Sequence, residues 1–313
     1  MRLMEKGTVP SLIFARHETF HPRFGWLKKG YDAAVKNSNI FLEEDAAVTL
    51  GVGKNMVRSI RYWCSAFGVL SEVSRKGSVA KECVSSNLGD KLLADDGWDP
   101  YLESNASLWL LHWQLVQPGG HATAWNYTFN TFHLSEFTEK QLFQSLEDHI
   151  KKVYPLISIS PASIKKDVNC ILRMYARRST NKSKALTEES LNCPFSKLGI
   201  IESGGDSPYF TFKVGPKDGL EPEIIVSSCL QYASLQDTSA NTIALSRLLY
   251  DSGSPGLAFK LTENDIYQAI EIVAEGYDKI TVSDSAGIIQ LSYFEDPLRL
   301  SQQLLRKYFR KIS

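Results

Sequence analysis

Between Glu43 and Phe67 the chain passes from an acidic segment through a glycine-bearing turn to a basic amphipathic one, and no other stretch constrains the fold as strongly. Glu43-Glu-Asp-Ala-Ala-Val-Thr-Leu50 reads as a short helix with acids in its first turn, where the helix dipole favours them. Gly51-Val-Gly53 is a tight turn that needs permissive backbone. Lys54 to Phe67 then reads as a longer helix, because Val57, Ile60, Cys64 and Phe67 recur at helical spacing and form one apolar stripe. Lys54, Arg58 and Arg61 fall on another face, with Asn55 and Tyr62 beside them. This order describes a helix-turn-helix whose second helix enters the major groove. Lys54, Asn55, Arg58 and Arg61 are then the expected DNA contacts. The alternative is an amphipathic helix whose cations are merely solvated.

The pattern recurs further along. Thr138 with Gln141 makes a capping box before a helix bearing Leu142, Phe143, Leu146 and Ile150. Ser160-Pro161 opens the next helix, with Ile164, Val168, Leu172 and Tyr175 as its apolar stripe. Lys165, Asn169 and Arg173 repeat on its other face with Lys166 alongside, so this helix is expected to bind DNA or simply to hold phosphate. Phe195 to Ile201 echoes Cys64 to Leu70, and Pro208 to Val214 reads as a strand. In a third unit Thr262 caps a helix bearing Ile266, Ile270 and Val273, and Asp284-Ser-Ala-Gly287 marks a hairpin. That helix carries Glu263, Asp265, Glu271 and Glu275, which suits a structural or protein-binding role rather than phosphate. A last helix is expected from Pro297 to Ile312.

The expected fold class is mainly α (α+β): helix-turn-helix and winged-helix-like modules with short β-hairpins. Three domains are expected, at 1–95, 96–220 and 221–313. Turn-rich breaks fall at Gln117–Gly120, Arg178–Lys184, Gly204–Pro208 and Gly215–Pro222, and Arg178–Lys184 reads as an exposed loop.

Charge over all 313 residues balances at 35 basic against 35 acidic, so any case for nucleic acid must come from distribution. From Lys151 to Lys184 the cations Lys151, Lys152, Lys165, Lys166, Arg173, Arg177, Arg178, Lys182 and Lys184 face the lone acid Asp167. No span is long and apolar enough for a membrane helix, and Met1 to Pro10 lacks the apolar core of a secretory signal. Cys64, Cys83, Cys170, Cys193 and Cys229 form no CxxC pair, which excludes a zinc ribbon and a disulfide framework. Buried thiols in a reducing, cytoplasmic compartment are expected.

Three stretches together resemble a known family: Phe14 to Gly30, Leu50 to Trp63, and Trp109-Leu-Leu-His-Trp113 followed by Ala124 to Asn130. They are similar to a domain-of-unknown-function family met in sulphur-linked DNA modification operons, which includes the nicking subunits of single-strand DNA phosphorothioation systems. The resemblance is dense over 14–130 and thin afterwards. It implies a nick in double-stranded DNA that lets a partner enzyme replace a phosphate oxygen with sulphur. It also implies a cysteine desulfurase and an ATP-dependent sulphur-transfer enzyme as operon partners. A homodimer is left open.

The first of those stretches is chemically dense. Cleaving a phosphodiester needs a base or metal for the attacking water and a cation for the developing charge. His17, Glu18 and His21 supply candidates for base or metal ligand, and Arg16 or Arg23 for the cation or for DNA contact. A divalent magnesium or manganese ion is the expected cofactor if the site cuts, although no motif specifies one. Pro22 closes the segment, so a phosphate-contacting or packing loop is the competing reading. His112, between Trp109 and Trp113, reads as a core histidine, and His121 is left unassigned. No Walker-type loop, dinucleotide fingerprint, GxSxG elbow or common restriction-nuclease pattern is present. A DNA-binding adaptor or regulator that does not cut is the alternative function.

Overall fold

In the computed structural model, which describes residues 12–74, 80–178, 193–205, 207–236 and 240–312, the expected stripes become buried helix faces. Helix α1 (Trp26–Lys36) buries Trp26, Leu27, Tyr31 and Ala34, and α3 (Lys54–Ala66) buries Val57, Ile60, Trp63 and Cys64. The two approach closely at Gly30, where an added Cβ would lie 2.5 Å from Cys64 Sγ. Between them, α2 (Ala46–Thr49) is shorter than expected. Gly51 supplies the left-handed backbone of the turn at φ +62°, whereas Gly53 is extended and serves as the N-terminal boundary of α3. Strands β1 (Leu70–Ser74) and β2 (Lys81–Ser85) then form an antiparallel pair behind α3. Next, α4 (Asn87–Leu93) starts at Ser86, whose Oγ accepts from Gly89 N.

The middle of the chain holds α5 (Asn105–Val116) and α6 (Thr123–Asn130), then β3 (Glu136–Thr138), α7 (Glu139–Val153) and α8 (Pro161–Tyr175). Both sides of the expected Thr138–Gln141 capping box are formed, and Ser160 caps α8. Strands β4 (Ala176–Arg178), β5 (Ile201–Ser203) and β6 (Tyr209–Phe212) complete a sheet in the order β3-β6-β5-β4, with β4 and β5 parallel. Residues 179–184 of the expected loop lie outside the described residues.

The last third runs α9 (Pro222–Ser234), β7 (Thr242–Ala244), α10 (Leu245–Tyr250), α11 (Pro255–Phe259), α12 (Glu263–Gly276), β8 (Ile280–Ser285), β9 (Ile288–Tyr293) and α13 (Pro297–Ile312). Its sheet order is β7-β9-β8. Here and in the middle unit, a short strand ahead of the helices joins the second strand of the later hairpin. The first unit has one backbone bond in that position, from Cys83 N to Ser38 O at 2.9 Å.

One apolar core runs through all three units, from Trp26 to Phe309. At its centre lies α5, apolar on every side and buried along nearly its whole length, as such a helix must be. His112 on α5 ties the units together: its Nε2 donates to Ala258 O at 2.9 Å, and its Nδ1 accepts from Tyr175 Oη at 2.8 Å. A carbonyl only accepts, so the neutral Nε2–H tautomer is the one that satisfies both partners. Burial pushes His112 down to about 4. All five cysteines are free and buried, as expected. No helix among the described residues is long and apolar enough to cross a membrane.

Candidate nucleic-acid interface

The segment from Leu12 to Gly25 is an irregular strap laid across three helices far apart in sequence. Its Ile13 N donates to Thr123 Oγ1 and its Ala15 N to Asp167 Oδ1. Trp63 Nε1 on α3 donates to Phe20 O at 3.0 Å, and Arg173 Nη2 on α8 donates to Thr19 O at 3.4 Å. Three non-glycine residues take left-handed backbone here: Ala15 at φ 55°, Glu18 at 50° and Thr19 at 68°. Such conformations cost on the order of 1 kcal/mol each and persist where surrounding contacts impose them. The bonds to α3, α6 and α8 are those contacts.

Beneath the strap, His17 Nε2 sits 2.9 Å from Asp167 Oδ1, and both side chains are sealed from solvent. Tyr62, Trp63 and Trp125 surround the imidazole, with ring centroids 5.7–6.1 Å away. His17 Nδ1 has no hydrogen-bond partner. An unpaired ring nitrogen is less costly as a bare acceptor than as a stranded N–H, so the arrangement fits neutral His17 donating to ionised Asp167. Burial pushes the Asp167 carboxyl above its ordinary value, and the contact with His17 opposes that shift. Burial first and Asp167 second push the Tyr62 hydroxyl well up.

The run from His17 to His21 has the H-E-x-x-H spacing that zinc proteases place on a helix, with both histidines on one face. The backbone breaks that face, because Glu18 and Thr19 are left-handed and the segment is a turn closed by Phe20 N to His17 O. His17 turns inward to Asp167. His21 is also buried, with Nδ1 3.4 Å from Pro22 O. Glu18 is partly exposed and lies 3.8 Å from Arg58 Nη1. Among the described residues no three His, Cys, Asp or Glu side chains converge as metal ligands. His17, Glu18 and His21 therefore do not form a ready-made metal cage, and the donor set offers a divalent ion one carboxylate, Glu18.

The expected DNA contacts divide by what their side chains already touch. Arg16, Lys54, Asn55, Arg58, Lys165, Lys166 and Arg173 are exposed, and Asn169 is half-buried. Arg23 lies over the Phe20 and Trp26 rings at 5.6 and 5.4 Å, so it helps to pack the strap. Arg61 is occupied as well: its Nε meets Glu72 Oε1 at 2.9 Å and its Nη2 donates to Lys81 O at 2.9 Å. It fastens the β1–β2 pair to α3. The Arg58 and Arg173 guanidinium groups reach the adjacent strap residues Glu18 and Thr19, so the basic faces of α3 and α8 meet at one place.

Sequence reasoning missed Asp167 as a partner of the strap. Its signal was present, since it sits between Ile164 and Val168 on the buried side of α8 and is the lone acid in a basic region. Tyr62 and Trp125, which wall in His17, carried no comparable mark.

The family described as "Protein of unknown function (DUF4007)" matches residues 14–309. Two solved structures are similar over nearly the whole chain. A magnesium ion-bound crystal structure of SspB superposes with a TM-score of 0.89, and a second SspB crystal structure with 0.88. Each is 38% identical, covering 96% of this chain and 88% of the other. No curated protein matches the chain.

Proposed function

The chain belongs to the DUF4007 family and is a relative of SspB; on that premise we propose that it is the DNA-binding and nicking subunit of a phosphorothioation system. The observation that carries the reading is the meeting of the α3 and α8 basic faces at the strap that presents Glu18. Helices followed by a hairpin in each unit support a winged-helix-like reading, which assigns the duplex to the first two. Glu18 is the carboxylate available to a water at the strap surface. Arg16 and Arg58 are the cations for charge that develops on the attacked phosphate. His17 and His21 lie below the surface, so their part is to hold the strap in its left-handed turn. Magnesium or manganese, if bound there, would take Glu18 and substrate oxygens and would supply charge neutralisation. Cysteine desulfurase and ATP-dependent sulphur-transfer partners belong to the same reading.

The test is conversion of supercoiled plasmid to open circles, with and without magnesium or manganese. Glu18→Gln is expected to abolish conversion while duplex affinity stays within a few-fold, because affinity comes mainly from cations. Full nicking by Glu18→Gln would move the chemistry elsewhere. Burial of His17 and His21 favours one second reading, a DNA-binding adaptor that does not cut; wild-type protein that binds duplex and leaves plasmid supercoiled in every metal would establish it.

A further inference from the structure

Away from the strap, an open recess of about 390 Å³ lies between α4 and α13, lined by Lys91, Trp98, Arg299, Gln302, Gln303 and Arg306. The four α13 residues fall at helical spacing on one face, so they line one wall. No acid lines the recess. Among the described residues, Lys91, Arg299 and Arg306 have no carboxylate partner, whereas Lys28 and Arg61 are each held by one or more. Acids close by in sequence are engaged elsewhere: Asp90 accepts from Tyr31 Oη, Asp95 binds Lys28, Asp99 accepts from Ser104 N and Ser107 Oγ, and Asp296 accepts the backbone N of Arg299.

Trp98 decides what kind of ligand fits. One face stacks on Phe309, with centroids 4.9 Å apart and planes within 3°. Lys91 Nζ lies 5.9 Å from the ring centre. With its rings thus engaged, Trp98 is a poor platform for a nucleobase. What remains is concentrated positive charge with two amide side chains as neutral donors, the chemistry that holds phosphoryl oxygens. We propose that this recess is an anion site for adjacent phosphoryl groups, separate from the α3–α8 surface. Its ligand is a free polyphosphate or consecutive phosphates of a nucleic-acid backbone.

Titration calorimetry of the full chain with inorganic pyrophosphate at low salt tests it. Saturable one-site binding is expected, weakened about tenfold or more in Arg299→Gln/Arg306→Gln, since each charge-assisted bond is worth roughly a factor of ten. Arg310→Gln on the same helix lies outside the recess and should bind as the wild type does. Circular dichroism should show all of these exposed variants folded. Duplex affinity in the double variant identifies the source: a matching loss assigns the recess to backbone phosphates, and unchanged affinity assigns it to a free polyphosphate. No saturable pyrophosphate binding by wild type, or equal binding by the double variant, overturns the site. Either failure leaves the nicking assay unaffected, so the two readings fall separately.

Discussion

His17 and Asp167 are 150 residues apart in sequence and 2.9 Å apart in space, and neither touches solvent. Asp167 Oδ1 also accepts from Ala15 N, so one carboxylate on α8 holds both the backbone and a side chain of the strap. The contact places the left-handed turn at Glu18 and Thr19 beside Arg58 and Arg173.

Removing the carboxylate should therefore release the strap. Asp167→Ala strands His17 Nε2–H in a dry interior and frees the half-buried Ala15 N, a loss on the order of 3 kcal/mol for a buried pair broken on one side. Asp167→Asn keeps an acceptor oxygen and is expected to lose less. Urea unfolding of the two variants measures the difference, and equal stability of Asp167→Ala and wild type would refute the tie.

The division of labour along α3 predicts unlike outcomes for neighbouring arginines. Lys54→Ala with Arg58→Ala should weaken duplex binding and lower the slope of log affinity against log salt by about 2, roughly one unit per phosphate contact. Arg61→Ala should leave that slope in place and loosen the β1–β2 pair, costing about 1–2 kcal/mol for the hydrogen bonds its charge makes. A salt slope that falls with Arg61→Ala alone would return Arg61 to the interface.

On α8, Lys165→Glu with Lys166→Glu should reduce affinity alike for all duplex sequences, since phosphate contacts carry no sequence information. The pair spares Arg173, which supports the strap through Thr19 O. Competition binding with unrelated duplexes is the measurement. A loss confined to one preferred sequence would make α8 a reader of bases.

Acid should unfold the protein partly through His112. Its folded value of about 4 lies below the ordinary 6.5, so the unfolded chain takes up the proton first. Between those values the unfolded state binds more protons, and stability falls as pH falls, by about 3 kcal/mol once pH reaches 4. His112→Gln, which retains a donor and an acceptor, should show a shallower decline of melting temperature from pH 6.5 to 4. Parallel declines would mean that other groups govern the acid limb.

Much of the secondary structure was legible because its causes lie within one helical turn or one hairpin. The capping box at Thr138 and the cap at Thr262 both formed, the latter as a full box with Asp265, and the Asp284–Gly287 turn closed with Ala286 and Gly287 at positive φ. The stripes of α3, α8 and α12 turned inward as their spacing required. Strands β3 and β7 were not legible, since three residues leave no period to read and their partners lie far along the chain. The charges on Arg58 and Arg61 look alike in sequence. Only the placement of Glu72 and Lys81 commits one of them to the fold and leaves the other exposed beside Glu18. The same holds for His17 and His21. Their spacing is a local property and was present in the sequence, but burial is decided by what packs over a residue. For His17 that packing came from Tyr62 and Trp63 of α3 together with Trp125 of α6 and Asp167 of α8, the last two more than 100 positions away.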